Sequence, residues 1–210
     1  MRRILVLAAN PPGTRQLRLD QEVRSIEQAL QASPLADQFE LHQRWALRVR
    51  DLQRALLDVE PEIVHFCGHG EGEAGIVLED ASGQIQLVGT TALSNLFGLF
   101  AQHVNCVVLN ACYAEVQADA IVQHINYVVG MRQAVLDEVA IAFATGFYRG
   151  LGRGQGIEEA FDTGCRSIRE GVLTLSEGLR KATVVVSVTS KPATLLTDQN
   201  PVLKKKKTKI

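Results

Sequence analysis

Two side chains in this sequence have both the type and the setting for covalent chemistry. They are His69, in Ile63-Val64-His65-Phe66-Cys67-Gly68-His69-Gly70, and Cys112, in Val107-Val108-Leu109-Asn110-Ala111-Cys112. Each follows an apolar run of strand character, and open parallel sheets hold their chemistry just outside the carboxyl ends of the strands. A cysteine attacks through its thiolate, so it needs a base or cation beside it and access from solvent. Histidine is the usual base. If the two strands are neighbours, side chains 43 positions apart in the chain face one crevice. Gly68 and Gly70 flank the histidine, where a missing Cβ admits a carbonyl and a backbone N–H can donate to an oxyanion. A helix starting at Cys112 would add its N-terminal dipole in favour of the thiolate.

The plainer reading of each residue type is structural. Cysteine is among the most buried residues, so Cys67, Cys106 and Cys165 are read as core. His42, His103 and His124 are read as ordinary loop residues, and His65 as packed against a helix on the face opposite Phe66. His69 and Cys112 stand apart by conjunction: each ends a buried strand, each adjoins very small residues, and they occur in the same order as their strands.

Composition bounds the rest. The 210 residues suit one domain with a substantial core. A composition 46% apolar but only 5% aromatic is usual for an α/β sheet covered by helices. Five of the 22 basic residues lie in the last seven positions, and the remainder carries 17 basic against 23 acidic residues, which argues against nucleic acid as the ligand. The Lys-rich end, 191–210, reads as a solvated linker or tail, with 1–190 as the folded domain. The apolar run at the start is too short for a signal peptide and no stretch approaches a membrane span, so a cytoplasmic protein is expected. The four cysteines show no metal spacing and no disulfide framework, and neither metal nor cofactor is indicated.

The elements that must position the two residues alternate along the chain. Buried-strand runs occupy 3–9, 39–46, 63–66, 105–109, 126–130 and 183–188. Between them, Leu19, Val23, Ile26 and Leu30, then Val49, Leu52, Leu56 and Val59, fall at helical spacing. So do Leu93, Leu96, Phe97 and Phe100, and the run Leu136, Val139, Ala140, Phe143 and Phe147. Residues 75–88 read as a β-hairpin inserted after the third strand. The alternation implies a doubly wound, mostly parallel six-stranded sheet with helices on both faces.

These blocks carry a family resemblance. An apolar strand then His-Gly, followed by an apolar strand then Asn110-Ala111-Cys112, resembles the caspase-like (clan CD) cysteine peptidases, whose local signature has its His roughly 50 residues upstream of Gln-Ala-Cys. Ile4-Leu-Val-Leu-Ala-Ala-Asn-Pro-Pro-Gly-Thr, Ala142-Phe-Ala-Thr-Gly-Phe-Tyr148 and Gly156-Ile-Glu-Glu-Ala-Phe161 are similar to the CHAT branch of that superfamily. The resemblance implies peptide-bond hydrolysis by a dyad of Cys112 and His69, with an oxyanion hole from the Gly70 and Cys112 amides. It also implies that Asn110, two before the cysteine, lines the P1 pocket. A neutral amide there lacks the usual anchor for a basic P1. Arg15 and Arg18 in the first loop are candidates to receive an acidic P1, and Glu71 and Glu73 would favour a basic one. The resemblance further implies a protein or peptide substrate, such as a gasdermin-like effector, a fused or partner sensor or recruitment module, and a setting in bacterial defence or cell death.

Two other classes compete. A caspase-like adaptor would keep the fold and be indifferent to Cys112. A TIR-like or flavodoxin-like nucleotide domain would use the first loop, but residues 10–14 hold one glycine and lack phosphate-binding spacing.

Overall fold

Strands that run almost continuously apolar must bury both faces, and the central strands of the sheet, Arg2–Ala9, Ile63–Gly68 and Cys106–Asn110, do so. The computed structural model describes residues 1–181 and 201–207. In chain order it comprises β1 (Arg2–Ala9), α1 (Leu19–Gln31), β2 (Phe39–Arg44), α2 (Val49–Val59), β3 (Ile63–Gly68), β4 (Ile76–Glu79) and β5 (Ile85–Val88). Then follow α3 (Thr90–Leu99), β6 (Cys106–Asn110), α4 (Glu115–Ile121), β7 (Tyr127–Met131), α5 (Asp137–Gly152), α6 (Ile157–Lys181) and β8 (Pro201–Lys205). The six-stranded sheet has the order β2-β1-β3-β6-β7-β8; every neighbouring pair is parallel except β7 with β8. The β4–β5 hairpin forms a separate two-stranded antiparallel ribbon.

Period-two alternation divides the core into two layers. Leu5, Leu7, Val64, Phe66, Val107 and Leu109 pack against α2, α3 and α4. Ile4, Val6, Ile63, Cys67, Cys106 and Val108 pack against α1, α5 and α6. Each fully buried Leu or Ile contributes about 1.5–3 kcal/mol of transfer free energy. His65 and Asn110 belong by parity to the α1/α5 layer, so the strands that carry the two motifs send polar groups there.

The connection after β1 leaves through α1 on one face, and that after β2 returns through α2 on the other. This reversal opens a crevice at the carboxyl ends of β1 and β3, the usual ligand position in such sheets.

The sixth strand differs from expectation. The run 183–188 lies outside the described residues, and the edge beyond β7 is filled by Pro201–Lys205 running antiparallel. Part of the segment read as a solvated tail is therefore built into the sheet. Its lysines find acids that sequence spacing does not reveal: Lys204 lies 2.8 Å from Glu115 and 2.9 Å from Asp119, and Lys205 pairs with Glu158. Proline is tolerated at the first position of such an edge strand. Among the described residues no helix is long and apolar enough to cross a membrane.

Candidate active site

Strands β3 and β6 are adjacent, with Cys67 opposite Asn110 in register, so the two motifs leave the sheet side by side. Beyond the last pair the chains stay in contact. A Cβ on Gly70 would lie 2.2 Å from the Cys112 carbonyl oxygen, so only glycine fits against the main chain there. The hairpin shapes this approach. Val77 N–H donates to His69 O (3.0 Å) and Glu71 N–H to Gly75 O (2.9 Å), which makes Gly70 and Ile76 a non-hydrogen-bonded pair. The N–H of Gly70 is accordingly turned away from β4.

His69 is half-buried, and its ring meets the first loop. Its Nε2 lies 2.9 Å from the carbonyl oxygen of Arg15. A carbonyl only accepts, so the proton sits on Nε2 and the Nδ1 lone pair is the free basic atom. The Arg15 residue therefore acts through its backbone, while its side chain is exposed. Asn10, just past the end of β1, lies against the same loop, its amide 3.2 Å from Arg15 O and from Leu17 N and 3.3 Å from His69 Nε2. Sequence reasoning missed this orienting carbonyl because a backbone atom has no residue-type signal.

Cys112 is also half-buried, and its Sγ accepts the N–H of Val135 at 3.3 Å. Tyr113 behind it holds a left-handed backbone (φ 55°), a conformation non-glycine residues adopt at some cost, which turns the chain sharply after the thiol. The following helix α4 begins at Glu115, so Cys112 precedes its first turn and the expected dipole contribution does not apply. The other thiols are held protonated. Burial, with Glu22 nearby, pushes Cys67 well above its ordinary range, burial takes Cys106 to about 12, and burial with Asp162 beside it takes Cys165 to about 11.

His69 and Cys112 line one crevice of about 40 Å³ with Leu17, Arg18, Glu22, Asn110, Val135, Asp137 and neighbouring residues. Asn110 is in its wall as expected, but the side chain is only 5% exposed. Its Nδ2 donates to Glu22 Oε1 (2.6 Å) and to Ala140 O (3.1 Å), while Oδ1 has no partner. Glu22 Oε1 also takes a bond from His65 Nε2 at 2.7 Å, so His65 is packed against α1 as read from the strand alternation. Arg18 is at the rim, but its charge is already met by Asp137 (3.6 Å) and Glu138, which removes it as a free receptor for an acidic P1. Arg15, Glu71 and Glu73 are not among the lining residues.

Metal-capable donors gather at one place among the described residues: Glu22, His65 and Cys67, with donor atoms within 4.8 Å of one another. His65 Nε2 and Glu22 Oε1 are taken up by their mutual hydrogen bond, and burial keeps the Cys67 thiol protonated, with Sγ 3.8 Å from the Leu7 carbonyl oxygen.

The family model for the CHAT domain matches residues 14–174. A protein named Roc-COR-CHAT protease, from an unknown prokaryotic organism, is 24% identical over 157 residues; the match covers 71% of this chain but 15% of that protein. The chain thus spans about a seventh of this relative. Among solved structures, a secreted C11 cysteine protease from Bacteroides thetaiotaomicron, in complex with an irreversible peptide inhibitor, superposes with a TM-score of 0.56 at 12% identity. That likeness covers 76% of this chain and 56% of the other, and shows a shared fold.

Proposed function

The chain belongs to the CHAT-domain family of caspase-like cysteine peptidases, and from that premise we propose that Cys112 and His69 form the dyad of an endopeptidase acting on a protein partner. The observation that carries this reading is the packing of Gly70 against the Cys112 carbonyl, which sets the two strand ends at one crevice. His69, held by its Nε2–H on the Arg15 carbonyl, takes the Cys112 proton on Nδ1. The thiolate attacks the scissile carbonyl carbon, and the C=O electrons move to oxygen. The N–H groups of Gly70 and Cys112 stabilise that oxyanion. Collapse expels the amine, which takes the proton from His69 and leaves a thioester on Cys112. His69 then removes a proton from water, which attacks the thioester and releases the carboxylic acid and the thiol.

The relative supports a wider role. Its name joins CHAT to Roc and COR modules, and the matched stretch is a small part of it. On that ground we read the chain as a peptidase domain that answers to an attached or partner sensor. Action in prokaryotic defence or cell death, on a gasdermin-like protein, rests on the family resemblance.

The test is labelling of wild type, Cys112→Ala and His69→Ala with peptide chloromethyl ketones, followed by mass spectrometry of the modified residue. Labelling of Cys112 that both variants abolish is expected. Failure of every probe to label Cys112, or labelling of Cys112 that His69→Ala leaves unchanged, overturns the reading in favour of an adaptor.

A further inference from the structure

We propose, resting on the peptidase reading above, that the crevice beside Cys112 is a P1 subsite for lysine or arginine, and that Glu22 is its specificity-determining residue with Asp137 at the rim. The residue two before the cysteine is a neutral amide, so the anchor for a cation must come from elsewhere in the fold. Helix α1 supplies it. Glu22 is 3% exposed and lines the crevice from below, between β3 and β6.

Its two hydrogen-bond partners are an amide and a single imidazole nitrogen. Asn110 is neutral. The Nδ1 of His65 is buried and without a hydrogen-bond partner, so a doubly protonated ring would bury an N–H with nothing to receive it. Nε2 is the only atom of that ring that reaches Glu22. Both bonds end on Oε1 of Glu22, leaving the lone pairs of Oε2 unspent by either. At the rim one guanidinium, Arg18, faces two carboxylates, Asp137 and Glu138. Of the side chains that line the crevice, Glu22 and Asp137 are acidic and Arg18 is basic, so its walls carry more acidic than basic groups.

A second, independent feature points the same way. Asn110 Oδ1 is a buried acceptor without a partner, in the same crevice as Glu22. An ammonium or guanidinium carries only donors, so it satisfies a carboxylate and an orphan carbonyl together. A carboxylate at P1 would meet repulsion from Glu22 and leave Asn110 Oδ1 unsatisfied. An apolar P1 would leave the buried charge without a counterion.

As it stands the crevice of about 40 Å³ has room for roughly two or three waters. A long basic side chain enters by displacing the partly exposed Arg18 side chain and replacing its charge on Asp137, an exchange of one cation for another.

The experiment is competitive labelling of the full chain by chloromethyl ketones of one peptide ending in Arg, Lys, Leu or Asp, read by mass spectrometry at Cys112. It is run on wild type, Glu22→Gln and Asp137→Asn. Glu22→Gln keeps the shape and removes the charge; Asp137→Asn carries the test if that variant fails to fold. The Arg and Lys probes should outrun Leu and Asp in wild type, and each variant should cut the Arg-to-Leu ratio about tenfold. A merely structural role for Glu22 would slow all probes alike and leave the ratio unchanged. Preferential labelling of Cys112 by Leu or Asp, or a ratio unmoved in the folded variants, overturns the basic subsite while the peptidase reading stands. Failure of every probe to label Cys112 above the Cys112→Ala background overturns both.

Discussion

A histidine and a cysteine inside β3 and a second histidine and cysteine just past the ends of β3 and β6 separate packing from chemistry. On β3, His65 is fully buried and bonded to Glu22, while His69, four positions on, reaches the crevice mouth. Cys67 lies opposite Asn110 inside the sheet, and Cys112, two residues past Asn110, is half-buried beside the crevice. The inner pair sits where desolvation disfavours a charged thiolate; the outer pair sits where backbone groups of neighbouring loops meet side chains. Residue type is the same in both, so position relative to the strand end decides which pair is available to react.

Removing the outer pair should have the largest effect. Cys112→Ala and His69→Ala are expected to lower probe labelling or peptide cleavage by about 10³-fold or more without lowering the melting temperature. The inner pair should invert this pattern. His65→Leu strips the buried Glu22 of a donor and should destabilise the fold by about 1.5–3 kcal/mol in urea titrations, with Cys112 still labelled in the folded molecules. A variant of His65 that abolished labelling while folding normally would erase the distinction.

Gly70→Ala tests the seam between the two motifs. A methyl there would lie 2.2 Å from the Cys112 carbonyl oxygen, so the loops must separate. We expect a loss of about 1–3 kcal/mol together with reduced labelling of Cys112. Retention of both would show that the contact does not set the geometry. Alkylation in native buffer sharpens the comparison of thiols. Burial holds Cys106 at about 12 and Cys67 higher than its ordinary range, so iodoacetamide at pH 8 should modify Cys112 well before either. Peptide mapping over time reads the order.

The smallest effect lies at the far edge of the sheet, remote from both pairs. Glu115 is held below its ordinary 4.5, first by the hydrogen bond from Lys204 and then by Arg132. A depressed carboxylate contributes stability above its unfolded value that disappears as the pH falls through the folded one. Hydrogen exchange at β8 should therefore accelerate as the pH drops below 4.5, once corrected for intrinsic rates, and Lys204→Ala should remove that pH dependence. Activity should not follow it.

Several features were legible from residue types and spacing. Period-two and helical patterns marked the first five strands and the hairpin, because burial on both faces demands continuous apolar runs. Small residues after two such runs marked His69 and Cys112, since strand ends are where a parallel sheet leaves side chains free. The Lys-rich end misled, because a strand at an antiparallel edge need not be apolar when acids on α4 and α6 answer its charges. Glu22 was equally hidden, as a glutamate on an amphipathic helix reads as a solvated face.

The sequence by itself determined an α/β alternation, two reactive strand ends and the family to which they belong. Only the tertiary structure decided that β3 and β6 are neighbours, that the Arg15 carbonyl fixes the histidine tautomer, and that Glu22 lies buried between His65 and Asn110. The physical reason is range. Periodicity and chain turns are local properties that a sequence writes directly, whereas register, backbone acceptors and buried charge exist only once distant segments share a common boundary without water.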